Sequence, residues 1–395
     1  MELGHDGLIG PPRLADMAEP ILSGGMPIAT QVTRPSVARM VRPLVPRHPI
    51  PETRDRAHPM PRPLPEQVIV ITGASSGIGR ETAQQLARHG ASLVLVARNQ
   101  AALRETAAEV EAFGGRALVA PADVSDPEQM QRVADQAASH FGRIDSWVNG
   151  AAVSTYGTVE QTTIDEIRRI IEVDLLGTIY GIKAALPYLR QSGGTLINIS
   201  SVTGERAVPL LATYSAAKHG IVGFSEALRM ELDHDQSGVS VTTILPYGIN
   251  TPFFNHARSK LGVLPRPTPP AYEPAAVAEA IVWAAEHPTR EIVVGGAAKS
   301  VLLLQSLSPA LLDRLMTIGG LAFKMQQSTR PDDGVDNLFA PAAGDYAVRG
   351  EFDGLTIPGN GYTRTFEFHP MRQRLAVAGM LLALAALVRR AGRRG

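Results

Sequence analysis

The sequence predicts an α/β fold, a doubly wound parallel sheet of about seven strands with helices on both faces. Between residues 68 and 294, short apolar runs alternate with segments of helical length. This alternation is typical of parallel strands joined by right-handed crossover helices. Most runs are continuously apolar, as expected of strands that are covered on both faces. A glycine-rich turn separates the first run from the first helical segment, an order found at phosphate-binding sites.

Seven apolar runs predict the buried strands of this sheet. In chain order they are Val68–Ile71, Leu93–Val96, Ala117–Ala120, Ile144–Val148, Leu196–Ile199, Val239–Leu245 and Ile292–Val294. Helix formers at helical spacing fill the segments between them. These segments lie near 78–89, 100–113, 127–141, 163–191, 214–233 and 274–287. The predicted domain covers residues 66–296.

Two further segments flank this domain. Residues 1–65 are rich in proline and arginine and have no sustained apolar period, which indicates a disordered extension. No uninterrupted apolar segment follows the first residues, so a secretory signal peptide is not predicted. Residues 297–370 are predicted to form a partly helical C-terminal extension, with the apolar stretch Ser300–Met325 as its helical part.

The last segment, residues 371–395, is predicted to contain an apolar helix flanked by arginines. Leu375 to Val388 are 14 residues without a charge. A helix of that length spans ~21 Å, which is short against the ~30 Å of a bilayer core. Two interpretations stay open: a helix packed on the domain or on a partner subunit, and a tail in peripheral contact with a membrane.

Composition excludes several classes of function. Lysine plus arginine number 38, as do aspartate plus glutamate, so no net positive charge favours a nucleic-acid partner. The chain has no cysteine, which excludes disulfides, thiolate metal sites and thiol catalysis. No metal site is predicted. A cytoplasmic location is predicted, with membrane association through residues 375–388 as the alternative.

The first predicted strand leads into a turn with the spacing G-x-x-x-G-x-G, and a helix follows at once. Glycines let the backbone approach a pyrophosphate, and a helix N-terminus offers free N–H groups and the positive end of its dipole. We therefore predict a dinucleotide site at this turn. Its residues are Gly73, Ser75, Ser76, Gly77, Ile78 and Gly79.

The end of the second strand indicates which dinucleotide is bound. An acidic residue there suits the 2′-hydroxyl of NAD, whereas an arginine suits the 2′-phosphate of NADP. Arg98 occupies this place, 19 positions after Gly79, and Arg80 adds a second cation beside the turn. NADP(H) is therefore favoured over NAD(H). The alternative is that Arg98 is an ordinary solvated surface charge.

Three side chains are candidates for the reaction itself. Tyr214 and Lys218 are four residues apart in a predicted helix and share one face. A nearby ammonium and an oxidised nicotinamide ring would lower the pKa of the phenol, which could then move a proton at a carbinol oxygen. Ser201 ends a strand thirteen residues before Tyr214, where a hydroxyl can donate to a developing alkoxide. Its neighbour Ser200 faces the other way and is assigned to structure.

Taken together, these motifs resemble the short-chain dehydrogenase/reductase family over about residues 66–296. The matching segments are Thr72 to Gly79, Asp123-Val124, Asn149 to Ala152, Ser201, Tyr214 and Lys218. The resemblance implies a Rossmann-type domain that transfers a hydride to or from C4 of a nicotinamide. It implies that Tyr214 is the acid or base, that Lys218 lowers its pKa and holds the cofactor ribose, and that Ser201 orients the substrate oxygen.

The resemblance also implies further cofactor contacts and a homo-oligomer. Asp123 and Val124 are expected near adenine, Asn149 along the cofactor, and Ile249 and Thr251 near the carboxamide.

The chain departs from the family pattern at three places. Asp174 stands forty residues before the tyrosine, where the family usually has an asparagine that holds a water near the lysine. It is counted as a catalytic candidate, and its carboxylate would bring negative charge near Lys218. Residues 150–152 are Gly-Ala-Ala in place of Asn-Ala-Gly. Tyr247 replaces the usual glycine after Pro246, which predicts a reshaped substrate pocket.

We expect an enzyme that interconverts a small-molecule secondary alcohol and a ketone or aldehyde with NADP(H). Substrate contacts are predicted in loops 153–156, 202–208 and 251–272. Their apolar residues favour a hydrophobic substrate or, with equal weight, only pack a lid. His219 and His256 are interpreted as packed or solvated rather than catalytic.

Two other functions stay open. A cofactor-binding regulatory protein with little turnover is one, and Asp174 favours it. A nicotinamide-using epimerase is the other, because a fold does not fix a reaction.

Overall fold

The computed structural model of the protein describes residues 61–344, 346–369, 371–372 and 375. Most of the predicted disordered segment 1–65 and most of the apolar tail 375–388 therefore lie outside the described residues. Within the described part of the chain, no helix combines the length and the apolar character needed to cross a membrane.

Seven parallel strands form the central sheet of the described chain, and they confirm the predicted fold class. They are β1 Val68–Thr72, β2 Ser92–Ala97, β3 Arg116–Pro121, β4 Ser146–Asn149, β5 Thr195–Ile199, β6 Ser240–Pro246 and β7 Glu291–Val294. Their order in the sheet is β3-β2-β1-β4-β5-β6-β7. The chain moves outward in opposite directions from β1 and β4, which leaves a crevice at the carboxyl ends of these two strands.

Helices cover both faces of the sheet. They are α1 Gly77–Arg88, α2 Gln100–Ala112, α3 Pro127–Phe141, α4 Ile164–Ile170, α5 Gly177–Ser192, α6 Ala212–His234 and α7 Pro274–Glu286. Because side chains alternate along a strand, Ile69 and Ile71 of β1 pack with α1, α2 and α7, whereas Val70 packs with α3, α5 and α6. The sheet is thus buried between two apolar layers.

The helical segment predicted near 163–191 is interrupted. A π-helical segment, Ile171–Leu176, joins α4 to α5. Thr163 begins α4 with a capping box, in which its N–H donates to the Glu166 carboxylate at 2.8 Å. The π-helical segment contains Asp174, and such local widening of a helix is frequent at functional sites.

The C-terminal extension packs on the domain and begins with the helices expected over Ser300–Met325. These are α8 Gly296–Leu307, α9 Pro309–Thr317 and α10 Leu321–Met325. Strand Gln327–Pro331 then pairs antiparallel with Val263–Pro265, and Thr356–Ile357 pairs parallel with Ala271–Tyr272. Residues 336–344 and 346–352, here called the strap, lie between these two extension strands.

Short elements complete the described chain. They are 3₁₀ turns at Leu64–Glu66, Val202–Gly204 and Ile318–Gly320, a helical turn at Phe253–His256, strands Thr155–Tyr156 and Arg258–Ser259, and a π turn at Thr363–Glu367. Phe368 follows the last turn and stacks on Trp283 of α7, with ring centroids 4.7 Å apart and an angle of 8° between the rings.

Candidate active site

The glycine turn joins β1 to α1 at the crevice. Gly73 has a φ of +77°, and its N–H donates to the carbonyl of Val96 at 2.8 Å. A Cβ at Gly79 would lie 2.2 Å from the carbonyl oxygen of Gly73, so only glycine lets α1 pack this closely on the turn. On the other side, the hydroxyl of Thr72 accepts from the N–H of Gly150 at 3.0 Å. These contacts fix a glycine-lined opening at the ends of β1 and β4.

Arg98 lies at the end of β2, beside the glycine turn. Its Nη2 donates to the carbonyl of Asn337, while its Nη1 is buried without a hydrogen-bond partner among the described residues. Burial lowers the pKa of the guanidinium, and the charge of Asp123 offsets part of this effect. The Asp123 carboxylate is itself paired with Arg169 at 2.6 Å. Arg98 therefore keeps one buried donor that an anion could satisfy.

Two of the residues expected along the cofactor have different surroundings. Burial opposes ionisation of Asp123, but hydrogen bonds from Ser125 and Arg169 outweigh it and lower the pKa of this carboxyl. Asn149 is 4% exposed, and its amide donates to the side chain of Asn198 at 2.9 Å. Asp123 borders the crevice, whereas Asn149 lies in the core beneath it.

Tyr214, Lys218 and Ser201 meet where α6 passes the end of β5. The Nζ of Lys218 lies 5.3 Å from the centroid of the Tyr214 ring and donates to the carbonyl of Ile199 at 3.0 Å. Ser201 lines the same cavity as Tyr214, and its hydroxyl acts to lower the pKa of the Tyr214 phenol. The hydroxyl of Ser200 donates to the Lys218 carbonyl at 2.9 Å, which agrees with the structural role expected for it. A phenol, a hydroxyl and a buried ammonium thus converge at one place.

The pKa of Tyr214 departs from the direction expected from the sequence. Burial and the charge of Asp174 raise it, and the hydrogen bond from Ser201 lowers it only in part. Burial also lowers the pKa of Lys218, while Asp174 acts in the opposite direction. Desolvation therefore outweighs the cation here, and Tyr214 is held as a neutral phenol that can donate its proton.

Asp174 is fully buried in the π-helical segment. One of its oxygens accepts from the N–H of Val153 at 2.9 Å, and the other has no partner among the described residues. Burial raises the pKa of the carboxyl to about 7, although Lys218 opposes this rise. Asp174 does not line the crevice, so it acts on Tyr214 and Lys218 through its charge.

A cavity of about 460 Å³ is lined by both the glycine turn and the cluster of Ser201, Tyr214 and Lys218. The predicted site residues that line it are Gly73, Ser75, Ser76, Gly77, Ile78, Gly79, Arg98, Asp123, Val124, Ser201, Tyr214, Lys218, Ile249 and Thr251. Residues of all three predicted substrate loops also line it. Tyr247 lines it as well, with its ring edge-on to Tyr272 at 6.5 Å. His256 borders the cavity, whereas His219 bonds the carbonyl of Ser215 on its own helix.

The wall beyond Tyr214 is mainly apolar and comes from two parts of the chain. The insert after β6 contributes Phe253 and Phe254, and the C-terminal extension contributes Val301, Leu312, Leu315, Met316, Leu321, Ala322 and Met325. Leu315 is 42% exposed and Leu321 is 49% exposed, so both also reach the surface.

The strap lies along the other end of the cavity, and the sequence gives no sign of this. The carbonyl of Ala347 accepts from the N–H of Gly77 at 3.0 Å, and that of Tyr346 accepts from Arg80 at 2.9 Å. The carbonyl of Leu338 accepts from Arg169 at 3.0 Å. The strap has no sustained apolar period and no recognisable motif, so nothing in the sequence distinguishes it from a surface loop.

Comparisons with known proteins agree with this geometry. The family model described as short chain dehydrogenase matches residues 67–262. The uncharacterised oxidoreductase YxnA of Bacillus subtilis is 40% identical over 328 residues, which cover 82% of this chain and 91% of that protein.

The chain belongs to the short-chain dehydrogenase/reductase family.

Other members are similar over shorter lengths. Trans-4-hydroxycyclohexanecarboxylate dehydrogenase of Sinomonas cyclohexanicum is 36% identical over 206 residues, which cover 51% of this chain and 79% of that protein. The solved structure of an alcohol dehydrogenase from Thermococcus sibiricus, complexed with 5-hydroxy-NADP, has a TM-score of 0.52 and 27% identity. The match covers 58% of this chain and 95% of the alcohol dehydrogenase chain. This short-chain dehydrogenase/reductase is therefore an oxidoreductase of a family that uses NAD(P)(H).

Proposed function

We propose that the protein interconverts a secondary alcohol and a ketone or aldehyde with NADP(H), on a hydrophobic substrate. One observation carries the proposal: Ser201, Tyr214 and Lys218 line the same cavity that the glycine turn borders, with the Nζ of Lys218 5.3 Å from the centroid of the Tyr214 ring. This arrangement places a proton donor and a dinucleotide site within reach of one substrate.

The residues at the glycine turn fit a phosphorylated dinucleotide. The turn lets a pyrophosphate approach the start of α1, where N–H groups and the helix dipole favour negative charge. The buried Nη1 of Arg98 lacks an acceptor among the described residues, and a 2′-phosphate would supply one. These features favour NADP(H) over NAD(H).

The chain's own groups would manage the proton and the oxygen. Bound NADP(H) supplies or accepts the hydride. In the reducing direction, Tyr214 donates its proton to the substrate oxygen, and its raised pKa keeps it protonated until that step. Ser201 donates a hydrogen bond to the same oxygen as negative charge develops on it. Lys218 is held by the Ile199 carbonyl and stabilises the phenolate that remains.

The substrate class follows from the outer wall of the cavity. Phe253 packs beside Tyr214, with ring centroids 5.7 Å apart, and side chains of α9 and α10 add apolar surface to the same cavity. Apolar walls with a few converging polar groups are typical of sites for small hydrophobic ligands. The similarity to a dehydrogenase named for a hydroxycyclohexane carboxylate supports a cyclic secondary alcohol as one member of the class.

A second candidate function is a cofactor-binding regulatory protein with little turnover. The buried Asp174 favours it, because its charge raises the pKa of Tyr214 and would oppose formation of a phenolate.

Four further expectations remain predictions from the sequence. They are the domain division at 66–296, homo-oligomer formation, a cytoplasmic location and membrane contact through 375–388.

The test measures the oxidation of NADPH and of NADH in the presence of aliphatic, aromatic and steroid ketones. The loss of absorbance of the reduced nicotinamide gives the rate. Tyr214→Phe should lower kcat by roughly 10²–10⁴-fold without loss of cofactor binding. Tyr188→Phe, which removes a phenol outside the cavity, should leave it unchanged. Arg98→Ala should lower kcat/KM for NADPH by about tenfold or more and affect NADH less. Tight NADPH binding without turnover of any ketone would favour the regulatory function.

A further inference from the structure

We infer that the strap, which lies outside the matched family region, completes the cofactor site and that Asn337 on it is a specificity-determining residue. The inference rests on the proposed NADP(H) function. It assigns part of the site for the adenosine phosphate to residues more than two hundred positions away from the glycine turn.

Asn337 is fixed from two sides. Its carbonyl accepts from Nη2 of Arg98, and its N–H donates to the carbonyl of His256 at 2.9 Å. The next residue, Leu338, is fully buried, and the carboxylate of Asp336 pairs with Arg258 at 2.8 Å. Asn337 therefore has a defined position, and it lines the cavity next to Arg98.

Two buried polar atoms at this place lack partners among the described residues. One is the donor Nη1 of Arg98, and the other is the acceptor Oδ1 of Asn337. Buried polar atoms normally have hydrogen-bond partners, so the pair points to a ligand that offers both an acceptor and a donor. The phosphorylated ribose of an adenosine offers both, through its phosphate oxygens and its remaining hydroxyl or its adenine amino group.

The charges at this place favour an anion. Arg169 is neutralised by Asp123, whereas the strap offers Arg98 only an uncharged carbonyl. A phosphate would give Arg98 the counter-charge that its burial calls for. An aspartate at position 337 would supply that counter-charge from the protein itself and would repel the phosphate.

The test compares the Kd values of NADPH and NADH for the wild type and Asn337→Asp by titration of the full chain. Asn337→Asp should weaken NADPH by about tenfold or more while NADH changes by less than about threefold. Asn337→Leu, which keeps the size but removes the amide, should weaken both cofactors by about threefold to tenfold. Gln191→Glu adds the same charge at an exposed position outside the cavity and should change neither affinity. Thermal unfolding confirms that each variant is folded.

The outcomes separate this inference from the proposed function. Unchanged NADPH affinity in both Asn337 variants, together with the expected loss in Arg98→Ala, would overturn the role of Asn337 and leave the proposed function intact. No preference for NADPH in the wild type would remove the proposed function, and the inference would fall with it.

Discussion

At the scale of single residues, Asp174 is a buried acid whose charge state depends on pH. Its pKa is raised to about 7 by burial, with Lys218 offsetting part of the effect. The unfolded chain ionises such a group near pH 4, so between about pH 4 and pH 7 the folded state holds the proton more tightly. The contribution of Asp174 to stability is therefore present at low pH and is lost as the pH rises towards 7.

Asp174→Asn should remove this pH dependence. Relative to the wild type, its free energy of unfolding should rise by about 1–4 kcal/mol between pH 5 and pH 8, because asparagine keeps an acceptor for Val153 and carries no charge. Urea denaturation at several pH values measures the difference. Asp165→Asn, at an exposed position of α4, is the control. A difference that stays constant with pH for Asp174→Asn would show that Asp174 does not ionise in this range.

The sequence predicts some site residues and not others, for a physical reason. Ser201, Tyr214 and Lys218 lie at the end of one strand and on the next helix, so their spacing alone brings them together. The contact between Arg98 and Asn337 joins residues 239 positions apart and depends on the path of an irregular loop. Periodicity carries no information about such a path.

At the scale of elements, helix α1 packs closely on the first residues of the glycine turn that precedes it. Gly79→Ala would place a Cβ 2.2 Å from the Gly73 carbonyl oxygen, so the turn must shift. We expect a loss of ~1–3 kcal/mol in the free energy of unfolding and weaker binding of both nicotinamide cofactors. Thermal melts and cofactor titrations measure the two effects.

Gly223 provides the matched control for this substitution. It lies within α6, and a Cβ there would meet no atom within 4 Å. Gly223→Ala should therefore stabilise the protein by about 0.5–1 kcal/mol, since alanine loses less backbone freedom in a helix. If both variants were equally stable, close packing at Gly79 would not be the reason for its glycine.

Strands and helices of the domain follow from the sequence because burial on both faces leaves long apolar runs and a clear period. The π-helical segment Ile171–Leu176 does not, since its extra residue barely disturbs the helical period. The apolar pattern of the sequence therefore does not predict the π-helical segment, which is the element that carries Asp174.

At the scale of the whole molecule, the C-terminal extension forms both ends of the cavity. Its helices α9 and α10 contribute apolar lining, and the strap lines the cavity beside Arg98 and the glycine turn. The extension is anchored on the domain by Phe368, which is 8% exposed and stacks on Trp283. If the extension left the domain, the cavity would therefore lose part of its lining.

Phe368→Ala should lower the free energy of unfolding by about 3 kcal/mol, because it removes a buried aromatic ring. Chemical denaturation followed by circular dichroism measures the change. Phe113→Ala removes a ring that is 41% exposed, and its effect should stay below about 1 kcal/mol. Equal effects of the two substitutions would contradict an anchoring role for Phe368.

The stacking around Trp283 also gives the protein an optical reporter. The chain has two tryptophans, and Trp147 is fully enclosed in β4. Trp283 lies between His287, at 3.9 Å, and Phe368. If the segment that carries Phe368 left the domain, the indole of Trp283 would become more exposed to water, while Trp147 would stay buried. A red shift in part of the fluorescence emission would then follow undocking of the extension in real time, with the other indole as an internal reference.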